Sequence, residues 1–372
     1  MRPVILIPGM GGSVLVRKGA EHKRFLHKRL IDNRWINIDV VNRTAKWKRD
    51  MEYEFNGAGL IGYDPDIIPF EFGSVKGVTD IVSEFGLLTK GHSRWLDTAY
   101  NHTYFGTLCD ELVSVGYTDN VNLFGASYDF RLILDPVVMA ATFEKFRRLI
   151  EGAAAKVPAV VVCHSAGGIV FKLFLTNYVD LEWRQKYIKE SIYVNVPFSG
   201  LPASVRCVVT GDFYYPALRK HYTELIRRNS AIIMCLPNEL AYDKDEVFFM
   251  GGGGTGGLGD VSIRNYKALE NENKAFKMWR CLNAPLLKDI AIPIKSPSTL
   301  IMCNNVLTGG QYNAQSVVSR AEWGDGVVPT RSLLSGIKAF NENSIDLHIM
   351  KGTHVGIIRT REFMDIVLAK II

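Results

Sequence analysis

The apolar run Pro158-Ala159-Val160-Val161-Val162-Cys163 passes without a spacer into His164-Ser165-Ala166-Gly167-Gly168, and an amphipathic stretch from Ile169 to Tyr178 follows at once. A short β-branched run reads as a buried strand and the stretch after it as a helix, so the chain must turn sharply at Ser165. Such a turn holds its central residue at a strained backbone angle. It lifts the hydroxyl above the sheet edge and leaves the next N–H free to bind an oxyanion. Small residues are needed two positions to either side, because strand and helix approach closely there. Gly167 meets that need on one side; on the other, where glycine is usual, stands the small thiol of Cys163.

Around this turn strands and helices alternate, which predicts an α/β fold: a mostly parallel sheet with helices on both faces. Short apolar runs predict strands at 4–7, 121–125, 159–163, 191–196, 299–304 and 345–350. Helices are predicted at 102–115, 139–155, 168–178 and 360–371. The 372 residues, 47% hydrophobic, suit a single elaborated domain over 1–372. Two stretches break the rhythm, 16–97 and 200–294, and both read as inserts. The first would form a cap or a membrane-contacting region and the second a cap and lid. The tract Gly251-Gly252-Gly253-Gly254-Thr255-Gly256-Gly257 lacks the Lys-Ser/Thr ending of a phosphate loop and reads as a flexible loop.

A serine hydroxyl needs a base, and the base needs an orienting carboxylate. In an α/β-hydrolase the chain order is serine, acid, histidine. Downstream of Ser165, a polar loop after strand 299–304 leads to Gly324-Asp325-Gly326, where flanking glycines suit a tight turn that projects a short carboxylate. His354 follows just past strand 345–350, in a loop where a base should stand. The catalytic candidates are therefore Ser165, Asp325 and His354. His348, inside the last strand, is the rival base and reads as a packed or surface residue; His164 reads as structural. Gly91-His92-Ser93 mimics half an elbow, but no strand precedes it. For the oxyanion hole, Ala166 N–H is one donor. The glycine-rich turn Pro8-Gly9-Met10-Gly11-Gly12-Ser13 supplies the other, assigned to Met10, with Gly9 or Gly11 as alternatives.

The formal charge is +6, with Arg17, Lys18, Lys23, Arg24, Lys28, Arg29, Arg34, Arg43, Lys46, Lys48 and Arg49 crowded early among Phe25, Trp35 and Trp47. A solvated face is the plain reading, and contact with anionic lipid the sharper one. No helix-turn-helix, zinc-finger or RNA-binding motif supports a nucleic-acid partner. The six cysteines form no C-x-x-C pair, so neither a disulfide framework nor a zinc site is expected. No metal or cofactor residues are assigned. The chain enters its first strand directly after Pro3, so no leader is expected, and no run is long and apolar enough to cross a bilayer. A cytoplasmic location, or a peripheral one on an intracellular membrane, is expected. The sequons Asn42-Arg43-Thr44 and Asn101-His102-Thr103 carry no meaning there.

Taken together, these segments resemble the lecithin:cholesterol acyltransferase family, with its lysosomal phospholipase A and phospholipid:diacylglycerol acyltransferase branches. The opening Pro3 to Gly12, the elbow His164-Ser165-Ala166-Gly167, and the segments around Asp325 and Thr353-His354 look like the family's own. Ser127-Tyr128-Asp129-Phe130-Arg131 is similar to its Tyr-Asp-Trp-Arg signature, and Asn195-Val196-Pro197-Phe198-Ser199-Gly200 to its Gly-x-Pro-Trp-x-Gly segment, with Phe for Trp in both. The resemblance implies acyl-ester chemistry on glycerophospholipids at a membrane or lipid-droplet surface. Ser165 would take the acyl chain, and water or an alcohol would receive it. A lid over 210–230 is implied as well, and Asp129 with Arg131 reads as a structural ion pair beside the pocket. A soluble carboxylesterase or neutral-lipid lipase with the same triad is the alternative reading, and a non-catalytic lipid-binding protein a further one.

Overall fold

The computed structural model describes residues 1–18, 52–79, 104–212, 219–251, 259–294, 296–338, 340 and 345–371. The basic cluster at 23–49, the half-elbow at 91–93, both sequons, Phe213-Tyr214-Tyr215 and the glycines at 252–257 lie outside the described residues.

Six strands form one parallel sheet, in the spatial order Ile345–Met350, Ser298–Cys303, Ile188–Val194, Ala159–His164, Val4–Ile7, Leu123–Gly125. Side chains alternate across a strand, and here the alternation sorts them into two cores. Ile5, Ile7, Val161, Cys163 and Tyr193 point into one, with Phe143 and Phe146 from helix Pro136–Ala153 and Ile169 and Phe171 from helix Ala166–Asn177. Val4, Leu6, Val160, Val162, Ile192 and Val194 point into the other, with Leu108 and Leu112 from helix Gly106–Ser114 and Phe363 and Val367 from helix Arg361–Ile371. A sheet buried on both faces explains the unbroken apolar strands. This is the α/β-hydrolase fold.

The first strand, Val4–Ile7, lies between the second and the third in chain order. The strand order reverses at this point. In open α/β sheets the loops at the carboxyl ends of the strands flanking such a switch point diverge and leave a crevice. Those loops here begin at Pro8 and at Ser165.

Element ends depart from the sequence expectation where local chemistry intervenes. Strand Leu123–Gly125 starts late because residues 118–122 close a turn, with Thr118 N–H donating to Asn122 Oδ1 at 2.7 Å. Helix Pro136–Ala153 starts early because Asp135 accepts from the N–H groups of Val137 and Val138, with proline at the first helical position. Strand Ile188–Val194 ends at Val194 because Asn195 takes a left-handed φ of 47°. The segment expected as a polar loop before Asp325 is instead an antiparallel hairpin, Val306–Asn313 with Val318–Gly324, joined by the short strand Phe249–Met250.

Within 16–97, strand Leu15–Arg17 pairs with Ile67–Pro69 and Glu54–Phe55 with Leu60–Ile61. Within 200–294, Ile232, Ile233, Phe248 and Phe276 pack into the same apolar cluster as the elbow helix.

Candidate active site

Ser165 sits between the end of one strand at His164 and the start of a helix at Ala166, with φ 54° and ψ −134°. A non-glycine residue there stores strain that its surroundings must hold. They do so through Ser165 N–H, which donates to Val194 O at 2.9 Å, and Ser165 O, which accepts from Gly168 N–H at 2.9 Å. The glycines are sterically required. A Cβ on Gly167 would lie 2.3 Å from Pro8 O, and one on Gly168 would lie 2.2 Å from Val196 Cγ2. Cys163 fits on the other side, fully buried in register between Ile7 and Tyr193.

His354 Nε2 is 2.8 Å from Ser165 Oγ, and His354 Nδ1 is 2.7 Å from Asp325 Oδ2. Ser165 is partly exposed, while Asp325 is buried and His354 nearly so. The second carboxylate oxygen of Asp325 accepts from Val327 N–H at 2.8 Å and Val328 N–H at 2.7 Å. The turn is pinned by Gly326, which has φ 94° and whose N–H donates to Thr308 Oγ1 at 2.9 Å. The hairpin therefore carries the carboxylate to its place. With Asp325 accepting from Nδ1–H, the free lone pair on His354 Nε2 faces the serine hydroxyl, the arrangement that a proton transfer from Oγ requires.

The turn after the first strand runs beside the elbow. Gly9 is so close that a Cβ there would lie 2.7 Å from Ser165 Cβ. Gly9 N–H donates to Tyr104 Oη at 2.8 Å, and Gly12 N–H donates back to Gly9 O at 3.1 Å. Gly9 N–H is thereby engaged, whereas no acceptor among the described residues meets the N–H of Met10 or of Gly11. Ala166 N–H heads the elbow helix, where the first turn's amides lack intrahelical partners and the helix dipole favours negative charge.

Two residues bear on the site in a way the sequence did not reveal. Asn195 Nδ2 donates to His354 O at 3.1 Å while its Oδ1 accepts from Cys303 N–H at 2.9 Å. Its left-handed φ is the one signal, since Asn tolerates it better than most residues. Tyr104 bonds both Gly9 N–H and His164. Nothing in the spacing of Tyr104 points to this. His348 lies on the last strand with Nε2 3.0 Å from Asp346 Oδ2, apart from Ser165. Asp129 and Arg131 pair with each other, buried beneath the oxyanion-side loop, where the neighbouring Tyr128 N–H donates to Ser13 Oγ at 3.0 Å.

A broad open cleft lined by Asn304, Glu322, Trp323, Arg331 and Leu334 includes none of Ser165, Asp325 and His354. Among the described residues, no group of three or more His, Cys, Asp or Glu side chains is arranged to hold a metal ion. No helix among them is long and apolar enough to cross a membrane.

Residues 89–252 match the family model for lecithin:cholesterol acyltransferase. Lecithin-cholesterol acyltransferase-like 4 of Arabidopsis thaliana is 25% identical over 214 residues, covering 55% of this chain and 36% of its own. Lecithin-cholesterol acyltransferase-like 1 of the same plant is 28% identical over 234 residues, covering 56% and 52%. Lysosomal phospholipase A and acyltransferase of Homo sapiens is 30% identical over 222 residues, covering 56% and 50%. The chain thus spans about half, or less, of the length of these relatives.

Proposed function

We propose, from the premise that this chain belongs to the lecithin:cholesterol acyltransferase family, that it is a serine-dependent lipid acyl-ester hydrolase or O-acyltransferase acting on glycerophospholipids. The observation that carries the reading is the unbroken hydrogen-bond chain from Ser165 Oγ through His354 to Asp325, headed by a strained elbow.

In this reading Ser165 Oγ attacks the ester carbonyl as its proton passes to His354 Nε2. The carbonyl π pair moves to oxygen, where Ala166 N–H and Met10 N–H stabilise the charge. Asp325 keeps the His354 proton on Nδ1 and stabilises the imidazolium. The intermediate collapses, the ester C–O bond breaks, and the leaving lysophospholipid oxygen takes the proton from Nε2. Water or an alcohol then repeats the sequence on the Ser165 acyl ester, releasing a fatty acid or a new ester. In this reading the inserts 16–97 and 200–294 choose the acceptor, the first as a cap or a membrane-contacting region and the second as a cap and lid, and contact is made at a lipid surface.

The test is product analysis by mass spectrometry on mixed anionic and zwitterionic phospholipid vesicles containing diacylglycerol or a long-chain alcohol, with Ser165→Ala alongside. Free fatty acid and lysophospholipid absent from the variant support the hydrolase, and a new acyl ester the transferase. Turnover of dispersed short-chain esters with none on vesicles would move the reading to a soluble esterase. No Ser165-dependent product at all would remove it.

A further inference from the structure

Tyr104 and His164 stand outside the Ser165–His354–Asp325 chain, yet between them they reach both of its supports. Both side chains are buried. Tyr104 Oη accepts from Gly9 N–H at 2.8 Å and donates to His164 Nδ1. Because Nδ1 accepts, the ring proton of His164 sits on Nε2, which donates to the backbone carbonyl of His354 at 2.7 Å. Asn195 Nδ2 donates to that same carbonyl at 3.1 Å, and His354 N–H donates to Asp325 O at 2.9 Å. The backbone of the base is therefore held on both sides of its Cα.

We propose that Tyr104 and His164 are positioning residues that clasp the oxyanion loop to the base: Tyr104 fixes Gly9, His164 fixes His354, and their mutual hydrogen bond sets the separation of the two. The proposal rests on the reading of Ser165 as nucleophile. The hydroxyl and both ring nitrogens are satisfied, so the network is rigid, as a buried polar network must be to avoid a penalty. Burial and the neighbouring His354 hold the His164 pKa well below the usual histidine range, which keeps the ring neutral. Protonation would turn Nδ1 into a donor and leave the Tyr104 hydroxyl hydrogen without its acceptor. His164 is one residue before the serine, and its placement is set by the same strand end that sets the elbow. A displacement of loop or base by about 1 Å is enough to cost about 100-fold in rate.

The experiment compares Tyr104→Phe, His164→Ala, His164→Gln and wild type. It measures steady-state turnover of a soluble short-chain ester, the rate of Ser165 labelling by a fluorophosphonate, and thermal melts. A Gln carboxamide N–H overlies the histidine Nε2–H, so it retains the bond to His354. Tyr104→Phe and His164→Ala should lower kcat and labelling rate by about 100-fold with KM little changed. His164→Gln, which keeps the bond to His354 but offers Tyr104 no acceptor at the Nδ1 position, should fall as far as Tyr104→Phe, and Tyr104→Phe combined with His164→Ala should cost no more than either alone. Folded Tyr104→Phe and His164→Ala proteins with wild-type kcat would overturn the clasp. So would a folded Tyr104→Phe and His164→Ala double variant whose loss is the product of the two single losses, because each residue would then act on its own. A wild-type protein whose Ser165 takes no label removes the nucleophile reading, and the clasp with it. Normal labelling with unaffected variants removes the clasp alone.

Discussion

Arg131 and Asp129, two residues apart, form a closed pair inside the core: Arg131 Nη2 lies 2.6 Å from Asp129 Oδ2 and Nε lies 3.0 Å from Oδ1. Arg131 N–H donates to the same Oδ1 at 3.0 Å, and Nη2 reaches Ile67 O at 3.2 Å, which ties the segment to the first insert. The guanidinium acts here as a strut between insert and core.

Arg131→Ala leaves the Asp129 carboxylate buried without its partner, and loss of one partner from a buried pair costs about 3–5 kcal/mol. Urea melts should register that loss, while fluorophosphonate labelling per folded molecule stays at the wild-type rate. A variant with wild-type stability and lost labelling would assign the pair to the chemistry instead.

Asp325→Asn keeps the size of the side chain but offers an amide where His354 Nδ1–H needs an acceptor, which favours the wrong tautomer. Turnover should fall by about 10³–10⁴-fold with substrate binding retained. The carboxamide oxygen can still accept from Val327 and Val328 N–H, so the melt should move little. Retention of more than a tenth of the activity would argue against Asp325 as the orienting acid.

Gly168→Ala drives a methyl into Val196 Cγ2 at 2.2 Å, an overpacking that costs about 1–3 kcal/mol. Because the obstacle is a side chain, Val196→Ala in the same protein should restore much of the lost stability. Gly167→Ala meets the backbone oxygen of Pro8 at 2.3 Å, and no single side-chain truncation should rescue it. Equal rescue of both by Val196→Ala would be inconsistent with this geometry.

Lys172, on the buried face of the elbow helix, donates to Thr176 Oγ1 at 3.1 Å and to Ile292 O. Burial lowers its pKa from 10.5 to about 7, with Arg184 pushing the same way and Asp289 opposing. Between those values the unfolded chain holds the proton more tightly than the folded one, so raising the pH from about 7 towards 10 stabilises the fold. The slope is at most about 1.4 kcal/mol per pH unit, and below pH 7 the whole penalty is present. Lys172→Met should flatten this part of the stability profile in denaturant melts across that range, whatever its effect on the absolute value. Parallel profiles for the two proteins would contradict the assignment.

Most of the strands that were legible in the sequence are buried on both faces, because a run such as Val160-Val161-Val162 has no polar period to confuse it, although the partly exposed edge strand Ile345–Met350 was legible as well. Ser165, Asp325 and His354 were found through chain order and loop position, and they lie within hydrogen-bond reach of one another. The hairpin before Asp325 was not legible. Its first strand contains Gly309-Gly310, a pair that reads as a break, yet the contacts require it: a Cβ on Gly309 would lie 2.2 Å from Tyr312 Oη and one on Gly310 2.6 Å from Glu322 Oε1. Its second strand is mostly exposed, with Trp323 and Val318 at the surface, so burial left no alternation to read. The contacts of Tyr104 and Asn195 were beyond sequence because they join segments 60 to 159 positions apart through single hydrogen bonds.

The sheet order also sets when the site can exist during synthesis. The elbow lies mid-chain, whereas His354 follows the last strand of the sheet, which occupies an edge and docks on Ser298–Cys303. A growing chain therefore carries the Ser165 hydroxyl long before the His354 imidazole that meets it in the folded protein. Under the proposed mechanism the ribosome-bound elbow stays chemically idle until the sheet has received the edge strand that precedes His354.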